Sequence, residues 1–308
     1  MALILALVVG LIATPLSIRL AHRTGALDRP GELKVQTHPV PHLGGLAVFV
    51  AMSIPLLATR PLLILPIGFA LILGAADDVG DLPIHIRVSA EAAIGVAVAT
   101  IEPGRGLGSF LFSVLITVGL INAVNLLDGL DAVAAGVATA SALGFAFMLS
   151  GDYRTLALAL AGSLLAVLVW NRPPARVYLG DGGSYVIGAT LAVLLAEAFR
   201  MPHDGSLRSG AILLVAVPVA DTTVAIVRRY RAGQPLLRGD RGHVYDQLVD
   251  RGASTGASAL VCIVAQVVLA VVAVAIVGLP LWAAVGAAFV IVVGFGGALL
   301  VTFTTPAQ

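Results

Sequence analysis

Apolar stretches of about 16–22 residues recur along nearly the whole chain, each closed by a short polar or Gly/Pro-rich segment. A stretch of that length is what a helix needs to cross a bilayer, and only helices satisfy their backbone internally in a single apolar segment. The pattern predicts spans at about 2–22, 44–59, 61–76, 84–100, 107–124, 132–149, 155–170, 184–199, 209–227, 256–277 and 280–301. The expected fold is therefore all-α: a polytopic helical membrane protein of about 11 transmembrane helices, one integral domain over residues 1–308. An odd number of spans puts the termini on opposite sides. The first stretch has no basic region before it and no convincing cleavage site, so it reads as a span rather than a signal peptide.

Composition agrees. The chain is 59% hydrophobic and 11% charged, a balance that no soluble domain of 308 residues needs. The net charge of +1 says little about partners, and nothing calls for nucleic acid. The distribution of charge says more. All but five of the 18 Lys and Arg (Arg60, Arg105, Arg154, Arg200 and Arg208) fall on one side of the predicted topology or at its border. The positive-inside bias places that side in the cytoplasm of an inner (plasma) membrane protein. Every polar motif below lies on the same side. The lone Cys262 sits in an apolar run and reads as a packed thiol.

The densest polar segment is N122-A-V-N-L-L-D-G-L-D131. Asn122, Asn125, Asp128 and Asp131 recur every third residue, and on a helix each lies about one turn from the next. Three residues advance roughly 300°, so the first and last rungs face opposite ways. Such a ladder at a membrane boundary is costly unless it binds something, and a hard cation such as Mg²⁺ with a phosphate ligand suits it. The second motif, Asp77-Asp78-x-x-Asp81, gathers three carboxylates that repel one another unless a cation or basic group is near. Their i, i+3 and i, i+4 spacings let all three reach one locality.

The third motif, G180-D-G-G-S184, brackets Asp181 with glycines at the start of an apolar span. Exposed backbone N–H groups there suit phosphate oxygens, Ser184 is placed as an N-cap, and Asp181 reads as a metal ligand. The first loop carries Lys34 and then P39-V-P-H-L-G-G45, whose paired glycines allow close backbone approach. The last loop, R238-G-D-R-G-H243, offers Arg238, Arg241 and His243 to a diphosphate, while Arg228, Arg229 and Arg231 read as a leaflet anchor. Asp221 lies inside the ninth predicted span, and an intramembrane acid points to function. Arg87 with Glu91, and Glu197 with Arg200, read as helix-end pairs. The remaining histidines, His42 among them, have no ligand spacing.

Taken in order, these five motifs resemble the polyprenyl-phosphate N-acetylhexosamine-1-phosphate transferases, the family that includes phospho-MurNAc-pentapeptide transferase and the bacterial GlcNAc-1-phosphate transferases. The resemblance covers nearly the whole chain. It implies transfer of a sugar-1-phosphate, GlcNAc-1-phosphate by preference, from a UDP-sugar to polyprenyl phosphate. UMP leaves, and Mg²⁺ (Mn²⁺ as the alternative) is required. By position it implies metal ligands at Asn125 and Asp181. Asp77 and Asp78 would be at the acceptor phosphate, with Asp77 as a base. Asn122, Asp128, Asp131, Lys34, Arg238, Arg241 and His243 would be on substrate. A homodimer is compatible with the resemblance. Val244, Tyr245 and Asp246 stand where the family often carries more histidines, and Leu33 to Gln36 depart from its first-loop pattern. The D-R-G-H loop and the eleven spans favour the GlcNAc-1-phosphate branch over the muramoyl-pentapeptide branch.

Two rival classes fit parts of the sequence. An Asp-rich membrane prenyltransferase would pair Asp77-Asp78-x-x-Asp81 with Asp128-x-x-Asp131 but has no use for the Gly180–Ser184 loop. An ion-coupled transporter would use Asp221 and the interfacial acids, though transporters gather such groups near the midplane.

Overall fold

The computed structural model describes residues 1–30, 36, 38–201, 205–235 and 241–304. The helices among them are α1 (Ala2–Thr24), α2 (Gly44–Leu57), α3 (Ile64–Gly80), α4 (Ile84–Ile101), α5 (Gly106–Leu127), α6 (Val133–Met148), α7 (Gly151–Asn171), α8 (Gly180–Arg200), α9 (Gly205–Leu213), α10 (Ala216–Arg231), α11 (Val244–Asp250), α12 (Thr255–Ile276) and α13 (Leu281–Thr304). A two-residue hairpin pairs β1 (Leu27–Asp28) with β2 (Val40–Pro41), with Leu27 opposite Pro41 and Asp28 opposite Val40.

Every predicted span coincides with helix. Among the described residues eight helices are long and apolar enough to cross a membrane, or nine if the bent pair α9–α10 is one span. The expected eleven would also need α2 and α6, of 14 and 16 residues. At 1.5 Å per residue these reach roughly 21 and 24 Å, short of a hydrocarbon core of about 30 Å.

The organising element is α8. Every residue from Gly182 to Ala196 is buried, and the helix packs against α3 and α5. A helix that is apolar all round belongs inside a bundle. By contrast α1, α12 and α13 expose Leu, Ile and Val along their length, as lipid-facing helices do. Trp282 at the start of α13 is 80% exposed, at a level where interfacial aromatics collect.

The ninth predicted span is broken. α9 and α10 meet at 59° across Leu214 and Val215. A break frees backbone groups that lipid cannot satisfy. Gln266 of α12, fully buried, takes them up. Its Nε2 donates to the carbonyls of Leu213 and Leu214 at 3.1 and 3.2 Å, and its Oε1 accepts from Val217 N at 3.2 Å. The break lets α10 leave the bundle at an angle and carry Asp221 toward the last loop.

Candidate active site

Three helices converge where α8 begins. The space beside Gly45 is filled by the backbone of Gly183, and that beside Gly74 by the backbone of Asp181 and Gly182. A Cβ at either position would collide with main chain, so the sequence-level reading of close approach at Gly45 holds. The first loop is laced to the segment before α8 as well. Tyr178 N donates to Pro41 O at 2.8 Å, and Gly44 N and Gly45 N donate to the carbonyls of Tyr178 and Leu179 at 2.9 Å. Asp181 on α8, Asp78 on α3 and His42 are thereby brought to one place.

Beside this junction lies a cavity of about 470 Å³. Pockets for small molecules fall in roughly the 300–1,000 Å³ range. Its walls include Asp28, Asp78, Asp128, Asp131, Asp181 and Asp246, faced among the described residues by one guanidinium, Arg241, and one imidazole, His42. Arg241 is partly spent already, with its Nε 3.7 Å from Asp246 Oδ1. Among the described residues, acidic side chains therefore outnumber basic ones on this wall.

The carboxylates are held, each by a different device. Asn125 Nδ2 donates to Asp181 Oδ1 at 2.7 Å and to Ser184 Oγ at 3.2 Å, so α5 orients the metal-ligand candidate of α8. Asp78 Oδ1 accepts from Asp181 N at 3.1 Å and its Oδ2 from Gly182 N at 3.4 Å. These helix-start N–H groups, expected to meet phosphate, are therefore occupied by a carboxylate of the protein itself. Ser184 is not the N-cap either, because α8 begins four residues earlier at Gly180; it bonds Asn125 and the carbonyl of Asp181 instead. Asp131 Oδ2 accepts from Ala175 N at 2.9 Å and pins the loop before α8.

The proton affinities follow the crowding. Burial, and then the charges of Asp181, Asp78 and Asp131, push Asp128 well above the carboxylate range. Burial also raises Asp131 and Asp246. Tyr178 rises through burial and then the nearby Asp131. His42 rises because the Asp78 carboxylate lies beside its ring, with Oδ2 3.6 Å from Nδ1, and Asp28 and Asp181 add to the effect. Each of these shifts marks a place that favours a bound cation or proton.

Of the residues singled out in the sequence, Asp78, Asp128, Asp131, Asp181 and Arg241 line the cavity. Asn125 stands behind Asp181. Lys34 and Arg238 lie outside the described residues. Several residues lie elsewhere than their spacing suggested. Asp77 does not line the cavity. It is 5% exposed, and its carboxylate is saturated by Leu82 N at 2.9 Å, Arg87 Nη1 at 3.0 Å and Tyr185 Oη at 2.7 Å. Neighbouring residues on a helix differ by about 100°, which turns Asp77 inward while Asp78 faces the cavity. A carboxylate with three donors is poorly placed as a base. Asp81, in a left-handed C-cap at φ 43°, is absent from the cavity wall, so the three acids do not share one locality.

Asn122 also points away. Its Nδ2 donates to Glu91 Oε2 at 2.5 Å and Val118 O at 2.9 Å, which turns it toward α4. Glu91 therefore pairs with Asn122 and Arg87 with Asp77, not with each other as their spacing suggested. The ladder is helical only to Leu127; Asp128 is the C-cap and Asp131 lies in the turn beyond. His243 sits behind the cavity wall, with its Nδ1 2.7 Å from Asp221 Oδ2.

The structure adds His42, Asn171, Tyr178 and Tyr245 to the site. Asn171 bridges two loops, accepting from Ala132 N at 3.0 Å and donating to Val177 O at 2.8 Å. The signal for His42 was its place between Pro41 and the paired glycines, at the point of closest helix approach. That for Tyr178 was its place just before Gly180.

Among the described residues no three of His, Cys, Asp and Glu converge as a closed metal cage. The donor set present is open and made of hard oxygens: carboxylates around a cavity, backed by an amide. That set fits Mg²⁺, which binds through one or two carboxylates, keeps waters and takes the rest of its ligands from substrate phosphates.

Comparison with known proteins places this geometry. Residues 61–198 match the family described as glycosyl transferase family 4. The chain is 30% identical over 320 residues to a probable undecaprenyl-phosphate N-acetylglucosaminyl 1-phosphate transferase of Bacillus subtilis, covering 95% of this chain and 88% of that one. It is 30% identical to a decaprenyl-phosphate N-acetylglucosaminephosphotransferase of Mycolicibacterium smegmatis, over 76% of this chain and 71% of the relative. With an undecaprenyl-phosphate alpha-N-acetylglucosaminyl 1-phosphate transferase of Thermotoga maritima the identity is 31%, over 73% of each.

Proposed function

We infer the reaction from the family and the cavity together: the chain belongs to glycosyl transferase family 4, and it transfers a sugar-1-phosphate to polyprenyl phosphate. The finer reading is GlcNAc-1-phosphate from UDP-GlcNAc, at a cytoplasm-facing site, as the first lipid-linked step of a cell-envelope polymer. The observation that carries it is the open set of hard oxygen donors around the cavity, with Asp78, Asp128, Asp131 and Asp181 on its wall. A site that must receive two phosphorylated anions would not be lined this way unless a divalent cation came with them.

In this reading Asp181, oriented by Asn125, and Asp78 beside it would hold Mg²⁺, which would neutralise charge on the diphosphate and on the departing UMP. Asp128 and Asp131 form the wall for the nucleotide-sugar, and Arg241 reaches the same space. An oxygen of the lipid phosphate forms a bond to the β-phosphorus of the donor. The bond from that phosphorus to the bridging oxygen of UMP breaks, and UMP carries the electron pair away. No oxidant or reductant is needed. The attacking phosphate is itself an anion, so the reaction proceeds without Asp77 as a base. Asp77 instead ties α3 to α4 and α8. Eleven crossings follow if α2 and α6 also span, and that parity puts every cavity-lining loop on the cytoplasmic side.

The test uses purified protein in detergent with polyprenyl phosphate, Mg²⁺ and UDP-GlcNAc labelled separately in the sugar and in the β-phosphate. Both labels should enter the lipid fraction together. Sugar entering without the β-phosphate would mean a phosphosugar product and another reaction. Neither label entering the lipid, with any UDP-sugar, would refute the reading.

A further inference from the structure

Asp221 has no part in the chemistry described above, yet it is 2% exposed and fully engaged. Its Oδ2 lies 2.7 Å from His243 Nδ1, and its Oδ1 accepts from Val244 N at 2.7 Å. Both contacts fall at the start of α11, whose N-cap is His243. The imidazole, 4% exposed, stacks on Tyr245 with ring centroids 5.5 Å apart and planes 7° from parallel. Tyr245 Oη in turn donates to Leu126 O at 2.9 Å, at the end of α5 and two residues before Asp128. Tyr245, Asp246 and Arg241 all line the cavity. A continuous set of contacts thus runs from a buried acid on the bent helix, through one histidine, to the wall that carries Asp128 and Asp131.

The geometry points to Asp221 as a positioning residue for the nucleotide-sugar side of the cavity, acting through His243. A carboxylate oxygen facing a ring nitrogen at 2.7 Å accepts its proton, which fixes the tautomer with hydrogen on Nδ1. Among the described residues Nε2 has no hydrogen-bond partner. Ring orientation, stacking on Tyr245 and the register of Arg241 and Asp246 then all depend on one carboxylate. The intramembrane acid is committed to this loop, which leaves nothing for the ion-coupling role that a transporter would give it.

The inference rests on the transferase reading, and the experiment separates the two. Asp221→Asn keeps an oxygen for Val244 N–H but sets an amide N–H₂ against Nδ1. In steady-state assays D221N should raise the KM for UDP-GlcNAc about tenfold while the KM for polyprenyl phosphate stays within twofold. The double variant D221N/H243Q should be no worse than H243Q, because a residue acting through His243 has nothing left to act on. Additive losses in the double variant, or equal rises in both KM values, would overturn the proposal. Wild-type protein that transfers no sugar-phosphate would instead sink the transferase reading.

Should D221N fail to fold, ¹⁵N spectra of histidine-labelled wild type decide the geometry, with the His243 signal assigned by its loss in H243Q. A protonated Nδ1 supports the proposal. A neutral ring protonated only at Nε2 overturns it.

Discussion

Two polar clusters lie at opposite ends of α8, about 30 Å apart along a helix of 21 residues. At the far end, Glu102 is 5% exposed and surrounded by partners. Arg60 Nη1 lies 3.2 Å from its Oε1, Arg200 Nη1 lies 3.6 Å from its Oε2, and Tyr153 Oη donates to the same carboxylate. Arg60 also reaches Asp152 at 3.2 Å, and Arg200 reaches Glu197 at 3.1 Å. Three acids thus meet two arginines and a phenol, and the charges nearly cancel. At the near end, among the described residues, six acidic side chains line a cavity with one arginine and one histidine. Both clusters are polar groups in an apolar protein, but only the near one surrounds an open volume. A cluster whose members pair with one another staples helices together; one arranged around an open volume can bind.

The sharpest way to break this contrast is to remove one charge from each end. Asp181→Asn should lower turnover by about 10²–10³-fold, the usual scale for losing one preorganised electrostatic group, with the thermal midpoint in detergent barely changed. Chelation of Mg²⁺ should do to wild type what the substitution does. Glu102→Ala should do the reverse. It strands Arg200 and Arg60 and costs about 3 kcal/mol of stability, visible as a lower thermal midpoint, while turnover per folded molecule stays within twofold. If E102A lost activity as D181N does, the distinction between staple and site would fail.

The adjacent pair Asp77 and Asp78 repeats the contrast within one helix turn. Asp77→Asn should act mainly on stability, by leaving Arg87 buried without its carboxylate, on the order of 3 kcal/mol. Asp78→Asn should act mainly on turnover. Comparing thermal midpoints with turnover for both variants tells them apart, and an Asp77→Asn protein that is stable but inactive would restore the base role.

The smallest expected effect is a pH dependence at His42. Its proton affinity is raised above the ordinary 6.5, chiefly by the adjacent Asp78 carboxylate. A group with a raised folded value contributes stability that is fully present below its unfolded value and fades as pH climbs through the folded one. The gap in thermal midpoint between wild type and His42→Gln should therefore be larger near pH 6 than near pH 9. A gap that grows with pH would contradict the pairing.

Much of this was legible in the chain. Hydropathy located the long helical segments, because apolar length is a direct consequence of the bilayer, but not the seven-residue α11. It could not count crossings, since α2 and α6 are short and the α9–α10 break depends on a distant Gln266 that satisfies the freed backbone. Motif spacing singled out Asp78, Asp128, Asp131 and Asp181, which line the cavity. It also singled out Asp77 and Asn122, which lie off its wall, because spacing says which residues are near one another but not which face of a helix meets the cavity. His42 and Tyr178 were passed over for the complementary reason. Each is alone in its segment and becomes part of the site only when the first loop is bonded to the segment before α8.

The most direct test of the central claim is UMP release by purified wild-type protein, measured with UDP-GlcNAc while lipid and metal are withdrawn in turn. The account predicts release only when polyprenyl phosphate and Mg²⁺ are both present, and its loss in D181N. Release that persists without the metal, or that survives in D181N, would contradict the assignment of the acidic cavity as a cation-dependent phosphotransfer site.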